Sequence, residues 1–136
     1  MEVEKKYFWT ALWAVVFFAL GNFFIGLAAK HFWSQLVVPN PGIVFGLPLS
    51  STLAYLLTGV VIASLILVYK NFASDDRVQS IAFGMMVGGA LANFFDRVVF
   101  GYVIDFIHLQ VFGLSGVWNT ADFTILFGII IWLSKK

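Results

Sequence analysis

The chain has 136 residues, of which 61% are hydrophobic and 18% aromatic, and its formal net charge is +1. A soluble fold of this size could not bury so much apolar surface, so the composition predicts a single membrane domain, residues 1–136. The sequence contains no basic block for nucleic acid, and the absence of cysteine excludes disulfides, thiolate metal sites and cysteine nucleophiles.

Four apolar segments predict an all-α membrane protein with four transmembrane helices, since each span needs about 20 residues. The predicted spans cover residues 8–29, 52–69, 80–100 and 117–133. Most basic residues flank one side of these spans: Lys5, Lys6, Lys70, Arg77, Lys135 and Lys136, against Lys30 and Arg97 on the other. The positive-inside rule therefore predicts that both termini are cytoplasmic.

The connection between the first two spans, residues 30–51, differs from the others because it holds all three prolines of the chain. Proline excludes a continuous helix, and the β-branched residues around it favour short strands with a turn at Asn40-Pro41-Gly42. We expect a small extended platform here, on the extracytoplasmic side.

The third span ends in the motif GGALANFFDR, from Gly88 to Arg97. Asn93 and Arg97 are four residues apart and share a helix face, with Asp96 beside it. Gly84 and Gly88 form a small-xxx-small pair that predicts close contact with another helix. The motif is compatible with a packing helix that ends in an Asp–Arg pair, or with an arginine that binds substrate or holds a carboxylate.

Two further acidic residues, Asp105 in GYVIDF and Asp122 in WNTADF, lie next to membrane-embedded sequence, where a carboxylate is expensive to keep. Asp105 alone fits a loop facing water, and Asp122 alone fits a helix start with Asn119 as the N-cap. The predicted topology gathers both at the outer face, with Asp122 in the outer leaflet. Together they are typical of a pair of carboxylates that shares a proton and activates water.

Other chemistries have weaker support in the sequence. GLSG, Gly113 to Gly116, is similar to the nucleophile motif of rhomboid serine proteases, with His108 or His31 as a possible base. That fold needs more spans than this chain offers. The histidines lack the spacing of a metal-binding motif, so we expect no metal and no cofactor.

Three segments, GGALANFFDR, GYVIDF and NTADF, follow one another in the order and near the spacing of lipoprotein signal peptidases, also called signal peptidase II. VVPNPGIVFG resembles an early segment of the same family. The resemblance implies an aspartic endopeptidase of the bacterial inner membrane, a hydrolase with its active site on the outer side. Its partners would be membrane lipid and a prolipoprotein, cut before a diacylglyceryl-modified cysteine.

The resemblance also implies roles for individual residues. Asp105 and Asp122 would be the catalytic pair. The residues that would bind substrate or support the site are Asn40, Gly42, Phe45, Asn93, Asp96, Arg97 and Asn119.

The sequence departs from the family at Gly26, where an aspartate is usual, at Val44, where alanine is usual, and at Phe123, where serine is common. Gly26 and Phe123 favour an alternative, a catalytically degenerate four-span factor that binds signal peptides or assists assembly. A proton-coupled transporter is a third hypothesis, although the sequence lacks the internal repeat of many transporters.

Overall fold

A computed structural model describes residues 7–42, 50–72, 76–111 and 113–135, and within these ranges the chain is mostly helical. The helices are α1 (Phe8–Phe32), α2 (Ser51–Phe72), α3 (Arg77–Phe100) and α4 (Thr120–Ser134), with a short 3-10 turn at Ser34–Leu36. The strands are β1 (Val38–Asn40), β2 (Val103–Asp105), β3 (Ile107–Val111) and β4 (Leu114–Trp118).

Helix α3 is the centre of the helical part, because the other three helices all pack against it. Glycines allow this close approach, as the small-xxx-small pattern predicts. A Cβ atom at Gly84 would lie 2.2 Å from the Ala14 Cβ atom on α1, and one at Gly88 would lie 2.7 Å from the Phe18 Cβ atom. The predicted close helix contact is therefore confirmed.

The outward faces of the helices are apolar. Trp13 and Phe17 on α1 are 67% and 70% exposed, and α4 exposes Phe127 and Leu133. Two helices, α1 and α3, are long and apolar enough to cross a bilayer, whereas α4 and Thr52–Leu67 of α2 form shorter apolar helices. Apolar side chains of this size exposed in rows are expected where lipid, not water, surrounds the protein.

Two small antiparallel sheets lie at the C-terminal end of α3. In the first, β1 pairs with β2, so that Val38 is opposite Asp105 and Asn40 is opposite Val103. In the second, β3 and β4 form a hairpin. The expected platform after the first helix is therefore only one part of the β-structure. The connection between α3 and α4, for which the sequence predicts no strands, supplies the other three described strands.

Four predicted boundaries differ by three residues from the helix ends in the structure. Helix α2 continues to Phe72 rather than ending at residue 69, and α3 begins at Arg77 rather than at residue 80. The fourth helix does not begin at residue 117, because Val117 and Trp118 pair with β3 and the helix begins at Thr120. The first helix continues three residues beyond residue 29, to Phe32.

The predicted turn at Asn40-Pro41-Gly42 is confirmed, since the Gly42 N–H donates to the Asn40 Oδ1 atom at 2.9 Å. Phe45, and the departure at Val44, lie outside the described residues.

Candidate active site

A cavity of about 600 Å³ lies where the ends of α3 and α4 meet strands β1, β2 and β4. Six of the residues predicted for the site line it: Asn40, Asn93, Arg97, Asp105, Asn119 and Asp122. The remaining lining residues are Val38, Pro39, Pro41, Val103, Ser115, Gly116, Val117, Trp118, Ile125, Leu126 and Ile129. The fold thus brings the two predicted carboxylates to one cavity from separate elements.

Asp105 is the last residue of β2 and is only 2% exposed. Its Oδ2 atom accepts a hydrogen bond from the Asn40 side-chain amide at 2.8 Å, and its Oδ1 atom accepts one from Asn119 at 2.8 Å. Burial raises the pKa of the Asp105 carboxyl to about 6, although these two hydrogen bonds oppose the rise by favouring the anion. A carboxyl with this pKa is able to exchange a proton near neutral pH.

Asp122 lies in the first turn of α4, where it forms a capping box with Asn119. The Asp122 N–H donates to the Asn119 Oδ1 atom at 3.0 Å, and the Asn119 N–H donates to the Asp122 Oδ2 atom at 3.2 Å. The Asp122 Oδ1 atom accepts a further hydrogen bond from Asn93 at 3.0 Å. Asp122 is therefore both a helix-start residue capped by Asn119 and part of the same cavity.

Asparagine side chains connect the two carboxyl groups, and backbone groups fix the direction of two of these amides. The Asn119 Oδ1 atom caps α4, so its Nδ2 atom must point to Asp105 and to the Asn93 Oδ1 atom, 3.1 Å away. The Asn40 Oδ1 atom accepts from Gly42, so its Nδ2 atom also faces Asp105. The network thus presents donors to both carboxylates.

Arg97 contributes a buried positive charge, with only 5% of its surface exposed. Its Nη2 atom donates to the Gly42 carbonyl at 2.7 Å and its Nη1 atom to the Asn93 carbonyl at 3.0 Å. Its own carbonyl accepts a hydrogen bond from the Tyr55 hydroxyl, which joins α2 to α3. Arg97 therefore holds the turn after β1 against α3, with its charge close enough to act on both cavity carboxylates.

Asp96 does not line the cavity, although the sequence groups it with Asn93 and Arg97. Its Oδ2 atom accepts a hydrogen bond at 3.0 Å from the N–H of Ile104, the residue that precedes Asp105 in β2. Asp96 therefore lies behind β2. Its Oδ1 atom is buried without a hydrogen-bond partner in the described part of the chain. Gly26 faces the same carboxyl group, since a Cβ atom there would lie 3.9 Å from the Asp96 Oδ2 atom.

The residues of the serine-based hypothesis have other contacts. Ser115 lies in β4 opposite Gln110 and lines the cavity. The His108 Nε2 atom bonds to the Leu36 carbonyl at 2.8 Å, and the His31 ring packs against Phe32 at 4.7 Å. Ser115 thus lines the cavity, whereas neither His108 nor His31 does.

Several site residues were missed by sequence reasoning. Ile125, Leu126 and Ile129 follow Asp122 on one face of α4, a helical spacing that could have been read from the sequence. The wall from Ser115 to Trp118 carried no comparable signal, because its position depends on pairing with β3. A part-buried hydrogen bond from the Asn22 side-chain amide of α1 to the Thr124 hydroxyl of α4, 3.2 Å long, was also missed. The sequence feature that could have predicted this contact is an asparagine inside an apolar span.

The fold and the site define a mostly helical, apolar protein with two carboxyl groups in one cavity, and two solved structures share this fold. Both are titled bacterial membrane enzyme structures obtained by the in meso method, at 2.3 and 1.9 Å resolution. Each has a TM-score of 0.76 and covers 98% of this chain; the identities are 24% and 22%, over 92% and 97% of the solved chains.

Sequence comparison identifies the family. The family described as Signal peptidase (SPase) II matches residues 5–135, and the chain therefore belongs to it. A lipoprotein signal peptidase of Moorella thermoacetica is 39% identical over 101 residues, which cover 74% of this chain and 65% of the relative. One from Caldanaerobacter subterraneus subsp. tengcongensis is 36% identical over 103 residues, which cover 75% of this chain and 69% of the relative. The chain thus spans about two thirds of the length of these curated relatives.

Proposed function

We propose that the chain is an aspartic endopeptidase that removes signal peptides from bacterial prolipoproteins and cuts before a diacylglyceryl-modified cysteine. The observation that carries the proposal is that Asp105 and Asp122 line one cavity and both accept hydrogen bonds from side-chain amides. Membership of the signal peptidase II family, and the names of the relatives, support the choice of substrate.

The charges around the cavity favour a pair that carries one proton. Arg97 brings one positive charge, and a pair with a single shared proton brings one negative charge, so the buried site is then neutral. Loss of this shared proton would leave two negative charges in a poorly solvated cavity. The raised pKa of Asp105 agrees with this state, while the proton belongs to the pair as a whole.

Hydrolysis follows from that protonation state. The ionised carboxylate takes a proton from a water molecule whose oxygen attacks the scissile carbonyl carbon, and the protonated carboxyl gives its proton to the carbonyl oxygen. A gem-diol results. The proton taken from water then passes to the leaving amine as the C–N bond breaks, and one hydroxyl of the diol returns the other proton to the pair.

In this proposal the protein crosses the bacterial inner membrane four times, with both termini cytoplasmic and the cavity near the outer surface. Ile125, Leu126 and Ile129 continue the cavity wall along α4 in an apolar direction. Such a wall suits the apolar signal peptide and the acyl chains of the modified cysteine. The polar end, with Asn40, Asn93 and Asn119, offers partners to peptide groups that would otherwise be unsatisfied at this depth.

The competing function, a factor that binds signal peptides without cutting them, is distinguished by turnover. Purified protein in detergent is mixed with a prolipoprotein carrying the diacylglyceryl group, and with the same protein lacking it, and the products are analysed by mass spectrometry. We expect multiple turnovers and a new N-terminus at the modified cysteine, on the lipidated substrate only. Stable binding of the lipidated protein without any product would support the binding factor and reject the peptidase.

A further inference from the structure

The cavity wall formed by β4 is a strand edge rather than a strand face. Ser115, Gly116, Val117 and Trp118 are consecutive and all line the cavity. Successive side chains of a strand point to opposite faces, so a wall of four consecutive residues exposes backbone to the cavity. Helix α4, by contrast, lines the cavity only at residues spaced along one face, from Asp122 to Ile129.

The direction of the backbone groups in β4 follows from its pairing. The Trp118 carbonyl accepts a hydrogen bond from the Phe106 N–H at 3.0 Å, so at Trp118 the backbone carbonyl points towards β3. Because this direction alternates along an antiparallel strand, the backbone of Gly116 also points to β3, and that of Ser115 and Val117 points away from it. In the described residues β4 pairs with β3 alone. The N–H and C=O groups of Ser115 and Val117 therefore face the cavity.

The cavity wall formed by β1 offers fewer donors. Strand β1 and the residue after it line the cavity from Val38 to Pro41, and two of these four residues, Pro39 and Pro41, have no N–H group. Proline on an edge strand blocks the addition of a further strand. Of the two edges that meet the cavity, β4 is the one equipped to receive an extended chain.

We propose that the substrate binds by adding a strand to β4, with hydrogen bonds from its backbone to the N–H and C=O groups of Ser115 and Val117. This inference rests on the proposed peptidase function, and its occupant is the extended segment next to the scissile bond. Because β4 leads directly into Asn119 and Asp122, a segment paired with it ends beside the carboxyl groups. Recognition through the main chain leaves the choice of side chains to the rest of the cavity.

The pairing is tested by amide hydrogen exchange, measured by NMR on the wild-type protein in detergent. The probe is a diacylated lipopeptide that spans the cleavage site, with the scissile amide replaced by a methylene-amine group that cannot be hydrolysed. We expect at least tenfold slower exchange at the Ser115 and Val117 amides on binding. Gly116 is the internal control, because its amide already points to β3 and should change much less. Equal exchange at Ser115 and Val117 with and without bound probe would overturn the proposal.

A second test uses cleavable lipopeptides, each with one backbone amide N-methylated. Only every second residue of an added strand faces β4, so the loss in kcat/KM should alternate along the peptide, about tenfold or more at one set of positions. A loss with no two-residue period would contradict strand addition. Exchange protection without cleavage would reject the peptidase function but support the pairing, whereas cleavage with neither signature would do the reverse.

Discussion

At the scale of single residues, two asparagines of the site each accept a hydrogen bond from the backbone and donate one to a carboxylate. Asn119 caps α4 with its Oδ1 atom and donates to Asp105 with its Nδ2 atom. Asn40 closes the turn at Gly42 and faces the other oxygen of Asp105 in the same way. An aspartate or a serine could replace one of these contacts, whereas an amide provides both an acceptor and a donor in fixed directions.

Substitution of Asn119 should separate helix capping from catalysis. Asn119→Ser retains an N-cap acceptor and Asn119→Ala does not, so the free energy of unfolding of Asn119→Ala should be about 1 kcal/mol lower than that of Asn119→Ser. Both variants lose the hydrogen bond to Asp105, and we expect kcat to fall roughly ten- to a hundredfold in each. Thermal unfolding and cleavage kinetics measure the two effects. Wild-type turnover in Asn119→Ser would contradict the role given to the amide.

The raised pKa of Asp105 predicts a pH-dependent stability. Because the pKa is about 6 in the folded protein against an ordinary 3.8, the stability from burying the neutral carboxyl is complete below about pH 4. It is lost as the pH rises through about 6. Asp105→Asn has no proton to lose, so its Tm relative to wild type should increase from about pH 4 to pH 8. A Tm difference that does not change over this range would show that burial does not raise the pKa of Asp105.

Asp96 and Gly26 show how a departure from the family is accommodated. The place of the usual aspartate is filled by Gly26, which faces Asp96, and the Asp96 carboxyl holds the strand that carries Asp105 through the Ile104 N–H. The Lys30 ammonium group, one turn after Gly26, lies 3.9 Å from the centre of the Phe100 ring and acts electrostatically on Asp96. Phe123, the other departure, packs against Trp118 at 6.3 Å.

At the scale of elements, packing of α1 and α4 on α3 sets the geometry of the cavity. Glycines bring α3 and α4 into backbone contact: a Cβ atom at Gly89 would lie 2.8 Å from the Ala121 carbonyl oxygen, and one at Gly128 would lie 2.8 Å from the Ala82 carbonyl oxygen. This contact places the first turn of α4, with Asp122, beside Asn93 of α3. The hydrogen bond between Asn22 and Thr124 connects α1 to the same turn region.

The packing predicts opposite effects for two glycine-to-alanine substitutions. Gly84→Ala puts a methyl group 2.2 Å from the Ala14 Cβ atom, and we expect a loss of about 1–3 kcal/mol in stability. Gly59→Ala on α2 is the matched control, because no atom lies within 4 Å of its Cβ position and alanine favours the helix by roughly 0.5–1 kcal/mol. Thermal unfolding in one detergent compares them. A Gly84→Ala variant as stable as Gly59→Ala would disprove tight contact between α1 and α3.

The sequence predicts helices and site residues better than it predicts strands. Asp105, Asp122 and Arg97 could be found because charge is rare in apolar sequence, and Asn119 because it precedes a helix. The strands after α3 were missed because an apolar run of three to five residues has the same appearance in a loop as in a short edge strand. The residues with which such a strand pairs can also be distant in the chain. Asp96 lies behind β2 only because of where this strand folds. Its spacing along α3 therefore could not show that Asp96 lies outside the cavity that Asn93 and Arg97 line.

At the scale of the whole molecule, the polar groups are concentrated at one end of an apolar helical body. The carboxyl groups, the three cavity asparagines and both sheets lie around the C-terminal end of α3 and the start of α4. Near the other end, a cluster of buried apolar residues includes Ala82 and Phe83 of α3 and Trp132 of α4. This polarity agrees with a site near one membrane surface, which is the outer surface in the orientation that the positive-inside rule predicts and that we propose.

Topology is tested by labelling, which the natural absence of cysteine makes direct. Gln110→Cys lies in β3 of the exposed hairpin, and Ser134→Cys lies at the exposed end of α4. A membrane-impermeant maleimide added to intact spheroplasts should label Gln110→Cys, and should label Ser134→Cys only after the membrane is broken. The reverse pattern would place the cavity on the cytoplasmic side and contradict the proposed orientation.

The central claim is that Asp105 and Asp122 hydrolyse a peptide bond together, and the most direct measurement is turnover of a diacylglyceryl-modified prolipoprotein by purified variants. Asp105→Asn and Asp122→Asn each remove one partner of the pair, so each should lower kcat by about a thousandfold or more while the protein still unfolds cooperatively. Asp76→Asn is the control, because this carboxyl caps the opposite end of α3 and asparagine caps equally well; its kcat should equal that of wild type. Substantial cleavage by either Asp105→Asn or Asp122→Asn would contradict the account.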